Sequence, residues 1–203
     1  ENTDRSLSMF ALGIPELGVE PLDPLNYDFL DASKPNLKLL LKNVTIIGMK
    51  DCKCNAIHRE KLKSKLYMQL SCPAKLYSHY ELSGEIITIK MSGNDDLFVN
   101  LPNFFIDLDI DFKEVDGKDG KKHFHIPKFN YIYDLKEKSE VDFKNLVPEN
   151  PDLKQPITEI MKSSSNEVVK ELGDPVFRSA VKSVVKGLNS FFRKITMEEL
   201  ALD

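Results

Sequence analysis

Hydrophobic and polar residues alternate without a break from Phe104 to Phe112. Apolar side chains occupy every second position, and Asp107, Asp109 and Asp111 fill three of the positions between them. A period of two residues places all the apolar side chains on one face of a β-strand. The pattern therefore predicts a long strand with one buried face and one wet face.

Similar alternation on both sides of this strand predicts an antiparallel sheet. A one-residue slip at Lys42-Asn43 indicates a β-bulge, and a second slip falls at Pro127. Ser83-Gly84 and residues 116–120 are predicted turns. The predicted strands are Asn26–Ser33, Leu37–Met49, Lys65–Cys72, Lys75–Leu82, Glu85–Met91, Leu97–Leu101, the strand at 104–112 and a return strand from Lys121 to about Tyr133.

The two ends of the chain have hydrophobic patterns that differ from that of this central region. Residues 1–8 are polar and are expected to be loose. Residues 9–25 contain three prolines, which exclude a long helix and favour an extended segment lying on the body. Beyond Pro151 the apolar residues are spaced three and four apart, which predicts a helical segment over 152–193. The segment is expected to break near 173–175, where Gly, Asp and Pro follow one another.

The second helix of this segment is apolar at about half of its positions, from Val176 to Phe192. Such a stripe is too wide for one contact, so the helix is expected to be covered on more than one side. Its length of roughly 28 Å matches the ~30 Å of a nine-residue strand. A long curved sheet around a long helix, in a single domain spanning residues 1–203, fits both lengths.

Composition narrows the class of function. Apolar residues make up 41% of the 203 residues, enough for a sizeable core, and the net charge of −4 argues against nucleic acid as a partner. There is no run long enough to span a membrane, so no stable membrane insertion is expected. The chain begins with Glu, which is consistent with a removed secretory signal.

Three cysteines stand at Cys52, Cys54 and Cys72. If the strands around residues 59–64 form a hairpin, Cys72 falls close to the other two. A disulfide from Cys72 to either Cys52 or Cys54 is then geometrically possible, and the alternative is that all three are small buried hydrophobic residues.

Enzyme motifs are absent, and no cofactor is expected: the chain has no G-x-S-x-G elbow, phosphate-binding Gly loop or H-E-x-x-H. Ser163-Ser164-Ser165 is interpreted as a helix interruption or an exposed face. The three aspartates of the long strand with His123 and His125 could in principle bind zinc, if Asp111 faces His125 across the hairpin. A solvated sheet back is the preferred interpretation, and no metal site is predicted. Asn43-Val44-Thr45 is a glycosylation sequon, but it lies within a predicted strand.

Two motifs stand out near the N-terminus: Gly13-Ile14-Pro15-Glu16-Leu17-Gly18 followed by Pro21-Leu22-Asp23-Pro24-Leu25, and Asn43-Val44-Thr45-Ile46-Ile47-Gly48-Met49. Both resemble motifs of the insect takeout and juvenile-hormone-binding proteins. The later order, from hairpin strands through a Gly-Lys-rich turn to a terminal helix ending in Phe-Phe-Arg-Lys-Ile, is also similar. The likeness runs from about Phe10 to Leu200.

The resemblance implies an α+β fold in which a highly curved antiparallel β-sheet wraps around a long C-terminal α-helix, as in tubular lipid-binding proteins of the super-roll type. It implies a non-enzymatic, monomeric carrier that holds juvenile hormone, a fatty acid or a similar terpenoid or lipid in an apolar tunnel between sheet and helix. The ligand-binding residues we expect are Phe10, Leu12, Leu39, Ile46, Met68, Leu70, Phe104, Ile106, Phe124, Phe129, Tyr131, Tyr133, Phe177, Val181, Val184 and Leu188.

Tyr131 and Tyr133 are the candidates for the polar end of the tunnel, because a phenol presents both a ring and a hydroxyl. Two alternatives remain open at this point. One is a protein-interaction domain with a filled core that acts through its acidic sheet surface. The other is a metal-dependent hydrolase that uses the Asp/His face.

The chain departs from the family at its start. Members begin with a short helix tied by a pair of cysteines, and this sequence is interpreted as beginning after that point. The protein is expected to be extracellular, with its signal removed. A cytoplasmic location is the alternative, because the N-terminal cysteine pair is absent.

Overall fold

The computed structural model describes residues 2–200. An N-terminal helix is followed by eight strands and then by three consecutive helices. The strands are β1 (Leu25–Asp31), β2 (Leu37–Ile47), β3 (Lys53–Glu60), β4 (Lys65–Ile86), β5 (Ile89–Asp116), β6 (Lys122–Leu135), β7 (Glu140–Phe143) and β8 (Val147–Pro148). The helices are α1 (Asn2–Leu12), α2 (Lys154–Ser163), α3 (Ser165–Leu172) and α4 (Asp174–Phe192).

All eight strands belong to one antiparallel sheet with the order β1-β2-β4-β5-β6. Its spine is the hairpin of β4 and β5, which are 22 and 28 residues long. Each of these strands pairs with different neighbours along its length. One end of β4 pairs with β3 and the other with β2, while β5 pairs with β6 at one end and with β7 and β8 at the other.

The sheet therefore has two halves. We call them the closed half and the open half, according to how much the rest of the chain covers them. The closed half contains β1, β2, β7, β8, residues 75–86 of β4 and residues 89–101 of β5. The open half contains β3, β6, residues 65–72 of β4 and residues 104–116 of β5. Each half has its own cluster of buried apolar residues.

Helix α4 packs against both clusters, which explains its wide apolar stripe. Val176, Ala180 and Val184 contact the cluster of the closed half. Val181 and Val185 belong to the cluster of the open half, and Phe177, Leu188 and Phe192 pack against it. The expected coverage of this helix on more than one side is confirmed.

The β4–β5 turn lies at Ile87-Thr88, not at Ser83-Gly84 as predicted. Ile87 and Thr88 have φ values of 45° and 66°, and β-branched residues give no sequence signal for such a turn. Gly84 lies inside β4, where an added Cβ would be 2.3 Å from the carbonyl oxygen of Asn36. The glycine is needed there for close approach of two backbones rather than for a turn.

The start of the chain is helical, so the expectation of loose residues is wrong for residues 2–8; residue 1 lies outside the described part. Helix α1 is held by tertiary contacts that sequence pattern does not show. The Cys54 amide donates to Asp4 Oδ1 (2.8 Å), and the Phe10 ring lies against the backbone of Gly187. A short N-terminal helix is therefore present.

The bulge predicted in β2 is present as a register shift between Lys42 and Thr45, with Asn43 exposed at a φ of 51°. Asn tolerates this left-handed conformation, which gives the sequon asparagine a structural reason of its own. The register also shifts in the β5–β6 pair, beside Pro127. The helical segment is interrupted twice, at Ser164 and at Gly173.

Candidate functional site

A cavity of about 190 Å³ lies where the two halves of the sheet meet α3 and α4. Its wall takes side chains from both apolar clusters. The lining residues are Leu39, Leu41, Ile46, Met49, Cys52, Leu70, Cys72, Pro73, Ala74, Leu76, Leu97, Val99, Leu101, Phe104, Ile106, Leu108, Val141, Phe143, Val168, Val169, Leu172, Gly173, Val176, Phe177, Ala180, Val181 and Val184.

The cavity arises where the apolar faces set by the strand and helix periodicities of the chain meet. Alternation in β2, β4 and β5 points every second side chain at α4, and the two apolar faces of α4 meet the strands. Well-packed interiors leave few voids larger than a water molecule. Here three small residues, Ala74, Gly173 and Ala180, stand in the wall among larger ones, so the facing side chains do not fill the space.

The wall offers no polar side chain to a ligand. Every lining residue is aliphatic, aromatic, Gly, Pro, Met or Cys. A cavity of this kind stays dry and accepts apolar groups; one of about 150 Å³ lined by Leu, Ile and Phe binds benzene. The arrangement can hold hydrocarbon and lacks a group for acid–base or nucleophilic chemistry.

Half of the predicted ligand-binding residues lie in this wall. The structure brings together residues from four elements, namely β2, β4, β5 and α4. They are Leu39, Ile46, Leu70, Phe104, Ile106, Phe177, Val181 and Val184.

The other eight predicted residues do not line the cavity. Leu12 is 55% exposed on α1, and Phe10 packs against the closed-half cluster beside Gly187. Tyr133 stacks on the cavity residue Phe177, with ring centroids 3.9 Å apart. The remaining five are not in the cavity wall: Met68, Phe124, Phe129 and Tyr131 belong to the open half, and Leu188 of α4 packs against its cluster.

Most of the missed lining residues were visible as apolar positions but not as cavity positions. Leu41, Leu97 and Leu108 belong to the alternating pattern already used to predict strands. Val168 and Leu172 belong to the predicted helical face. No sequence signal separates a side chain that fills a core from one that borders a void.

Neither tyrosine offers its hydroxyl to the cavity. Tyr131 donates a hydrogen bond to Asp174 Oδ1 (2.8 Å), and burial, with Asp174 as a second cause, raises the pKa of Tyr131 to about 12. Burial also raises the pKa of Tyr133, and the negative charge of Asp174 adds to the effect. At neutral pH both phenols are therefore uncharged, and Tyr131 tethers the start of α4 to β6.

A disulfide joins Cys52 to Cys72, which decides between the two pairings left open by the sequence. Cys54 is a free thiol. The bridge ties the start of β3 to β4, and both of its cysteines line the cavity. The disulfide is thus part of the cavity wall as well as a crosslink.

The acidic strand and the two histidines do not form a site. Lys65 Nζ lies 2.9 Å from both Asp109 Oδ1 and Asp111 Oδ1, and Gln69 donates to Asp107. The register shift beside Pro127 places Asp111 opposite Lys128 rather than opposite His125. Within residues 2–200 no three His, Cys, Asp or Glu side chains are arranged to hold a metal ion.

His123 is instead a buried anchor for the end of α4. Its Nδ1 faces the carbonyl oxygens of Phe192 (2.8 Å) and Ile195 (3.0 Å), and its Nε2 faces both carboxylate oxygens of Asp119. Acceptors on both ring nitrogens favour the imidazolium, so the Phe192 carbonyl first and Asp119 second raise the pKa of His123. The positive charge also suits the C-terminus of a helix.

Comparison with known proteins gives a family and a fold. The family profile of the haemolymph juvenile hormone binding proteins (JHBP) matches residues 1–202. The crystal structure of Epiphyas postvittana Takeout 1 superimposes with a TM-score of 0.88 at 23% identity, covering 97% of this chain and 91% of that one. The long antiparallel sheet with a long C-terminal helix against it is therefore the takeout fold, as the family resemblance implied.

A crystal structure of lipopolysaccharide binding protein aligns with 93% of this chain and 37% of that one, at 9% identity and a TM-score of 0.38, which is too low to support an argument. No curated protein matches the chain. None of the helices in residues 2–200 is long and apolar enough to span a bilayer.

Proposed function

Because the chain belongs to the haemolymph juvenile hormone binding protein family, whose members bind ligands and are not enzymes, we propose that it is a carrier of a small hydrophobic ligand. The ligand is a juvenile hormone, a fatty acid or a similar terpenoid or lipid. The observation that carries the proposal is the apolar cavity between the sheet and α4.

The driving force is removal of hydrocarbon from water. Each methylene transferred into an apolar site contributes about 0.8 kcal/mol. A dozen carbons support micromolar or tighter binding after the cost of association, which is several kcal/mol. The wall contributes no hydrogen bond, so selectivity rests on the length and shape of the cavity.

The size of the cavity limits what enters without rearrangement. At about 190 Å³ it is slightly larger than the benzene-binding cavity of about 150 Å³ mentioned above. A long isoprenoid or acyl chain therefore extends beyond it by displacing side chains, which would turn the cavity into an elongated tunnel. Phe177 is the foremost candidate, because it lines the cavity on one side and stacks on Tyr133 on the other.

We place the protein outside the cell, in an insect. The family description refers to haemolymph, and the Cys52–Cys72 disulfide is typical of oxidising compartments. Two observations weigh against the alternative of an interaction domain with a filled core. Asp109 and Asp111 of the sheet surface are already ion-paired with Lys65, and the core contains an unfilled cavity.

A cavity-filling substitution tests the proposal. Ala180→Phe adds a ring to the cavity wall, and we expect at least a tenfold loss of affinity for a fluorescent fatty acid. The matched control is Ala56→Phe on the exposed strand β3, which should bind like the wild type. Equal affinity of all three proteins, or the absence of any lipid in native mass spectra of the wild type, would refute the carrier.

A further inference from the structure

Leu62 is the most exposed large hydrophobic residue in the described part of the chain. It lies in the short 3-10 turn Lys61–Lys63 that joins β3 to β4, and its side chain is 101% exposed. The next most exposed, Ile132, reaches 69%. A leucine between two lysines, projecting into solvent, contributes nothing to the folded core.

The charges around this turn leave a positive excess on a chain that is negative overall. Glu60 pairs with Lys63 at 2.7 Å, and Asp109 and Asp111 both pair with Lys65. These five groups together carry a net charge of −1, because one lysine pairs with two carboxylates.

Three further lysines near the turn have no ion-pair partner among residues 2–200. Lys61 belongs to the turn itself. Lys113 follows Phe112, whose amide donates to the Ser64 carbonyl at 2.8 Å. Lys128 lies opposite Asp111, and all three lysines are exposed. The exposed Glu114, next to Lys113, makes no ion pair within residues 2–200 and reduces the positive excess by one charge, so the lysines still outnumber the carboxylates around the turn.

The inner apolar face of the open half leads from this turn to the cavity. Leu70, opposite Ile106, lines the cavity, while Leu66, opposite Ile110, lies four residues closer to the turn. Four residues of strand span roughly 13 Å. Leu66 is only partly buried, so this path is less tightly covered than the core of the closed half.

We propose that the Lys61–Lys63 turn docks on an anionic lipid surface. Leu62 enters between the headgroups, and Lys61, Lys113 and Lys128 face the lipid phosphates. Apolar residues flanked by basic ones bind the interface in this way, and the attraction grows with the number of basic residues near the surface.

A lipid surface fits this feature better than a protein does. A stable protein interface buries about 800 Å² on each partner, which a three-residue turn with one apolar side chain cannot supply. A bilayer needs no complementary shape. Docking would bring the turn end of the open half to the membrane, where hydrophobic ligands collect; this loading role, unlike the docking itself, rests on the proposed carrier function.

Vesicle sedimentation tests the docking with the whole chain. The wild type should pellet with phosphatidylcholine–phosphatidylglycerol vesicles and much less with phosphatidylcholine alone, and added salt should release it. We expect Lys61→Gln to weaken this binding about fivefold, and Leu62→Ser to weaken it about tenfold or more. The matched controls are Lys138→Gln, an exposed lysine of the β6–β7 loop, and Val147→Ser, an exposed apolar residue of β8; both should bind like the wild type.

Three results would overturn the proposal: equal binding to both vesicles, Leu62→Ser pelleting like the wild type, or equal losses in the controls. Uptake of a fluorescent fatty acid from vesicle-free solution separates the two hypotheses. Leu62→Ser should take up this probe normally. If the wild type takes up none, the carrier function fails while the sedimentation result still decides the docking.

Discussion

The closed and open halves of the sheet are built from the same alternating pattern, yet they are packed differently. In the closed half Val44, Tyr80 and Ile86 are completely buried. In the open half Ile110 and Ile126 are also buried, but the inward residues Leu66 and Phe112 remain partly exposed. The difference lies in the covering elements. Helices α2 and α3 pack against the closed half, whereas β3 in the open half is an edge strand whose residues are mostly exposed.

This contrast indicates that the two halves of the sheet have different roles. A tightly packed half stabilises the fold, and a loosely packed half can rearrange locally at low cost. The cavity lies at the boundary between them, so one of its walls is firm and the other can yield. A ligand longer than the cavity would then extend into the open half.

The largest expected effect comes from truncating one leucine in each half of the same strand. Leu82→Ala in the closed half should lower the free energy of unfolding by about 2–5 kcal/mol, the range for a fully buried leucine. Leu82 is 2% exposed and Leu66 is only partly buried, so Leu66→Ala should cost clearly less. Urea denaturation measures both, and equal losses would contradict the proposed contrast.

A slightly smaller effect is expected from removing the disulfide at the boundary. The Cys52–Cys72 bridge closes a loop of 20 residues, which corresponds to about 3 kcal/mol of loop-closure entropy. Cys52→Ser with Cys72→Ser should lower the free energy of unfolding by about that amount. Hydrogen exchange should accelerate in β3 and not in β1 and β2.

Cys54→Ser is the matched control for the double variant, because Cys54 has no disulfide partner. It should keep the stability of the wild type. Uniformly faster exchange across the sheet in the double variant would mean that the two halves open as one unit.

The smallest expected effect is a pH dependence confined to the open half, where His123 anchors α4 to β6. The pKa of His123 is raised in the folded state. Its stabilising contribution is therefore fully present below the ordinary histidine pKa of about 6.5, and it is lost as pH rises through the raised value. Melting temperatures of wild type and His123→Gln should differ most at acidic pH and converge as pH increases.

The exposed His58 provides the control for this titration. His58→Gln should not reproduce the effect of His123→Gln. A constant difference between the wild type and His123→Gln at every pH would show that His123 acts by packing alone.

The sequence predicted the elements well where one face of a strand or helix is buried. The alternation at 104–112 and the helix with its break at Gly173 are both present. The prediction from sequence failed where tertiary contacts determine the local structure. Ile87-Thr88 forms a turn although its side chains oppose one, and α1 is ordered through Asp4 and Phe10, which contact residues far along the chain.

The candidate site was only half predictable, and the reason is physical. Apolar side chains in a cavity wall and in a filled core have the same composition and the same spacing. Leu39 lines the cavity and Leu82 does not, although they face each other across β2 and β4. Whether a space stays empty depends on the small residues across from them, such as Ala180, and on the register, neither of which the periodicity of one segment reveals.

Intermolecular contacts seen by methyl NMR test the central claim most directly. With labelled Leu and Val methyl groups and a bound fatty acid, we expect ligand contacts at Leu97, Val99 and Val181, which line the cavity. The exposed methyl groups of Leu62 and Val147 should show none in vesicle-free solution. Contacts confined to exposed residues, with no change at Leu97 or Val181, would contradict the account.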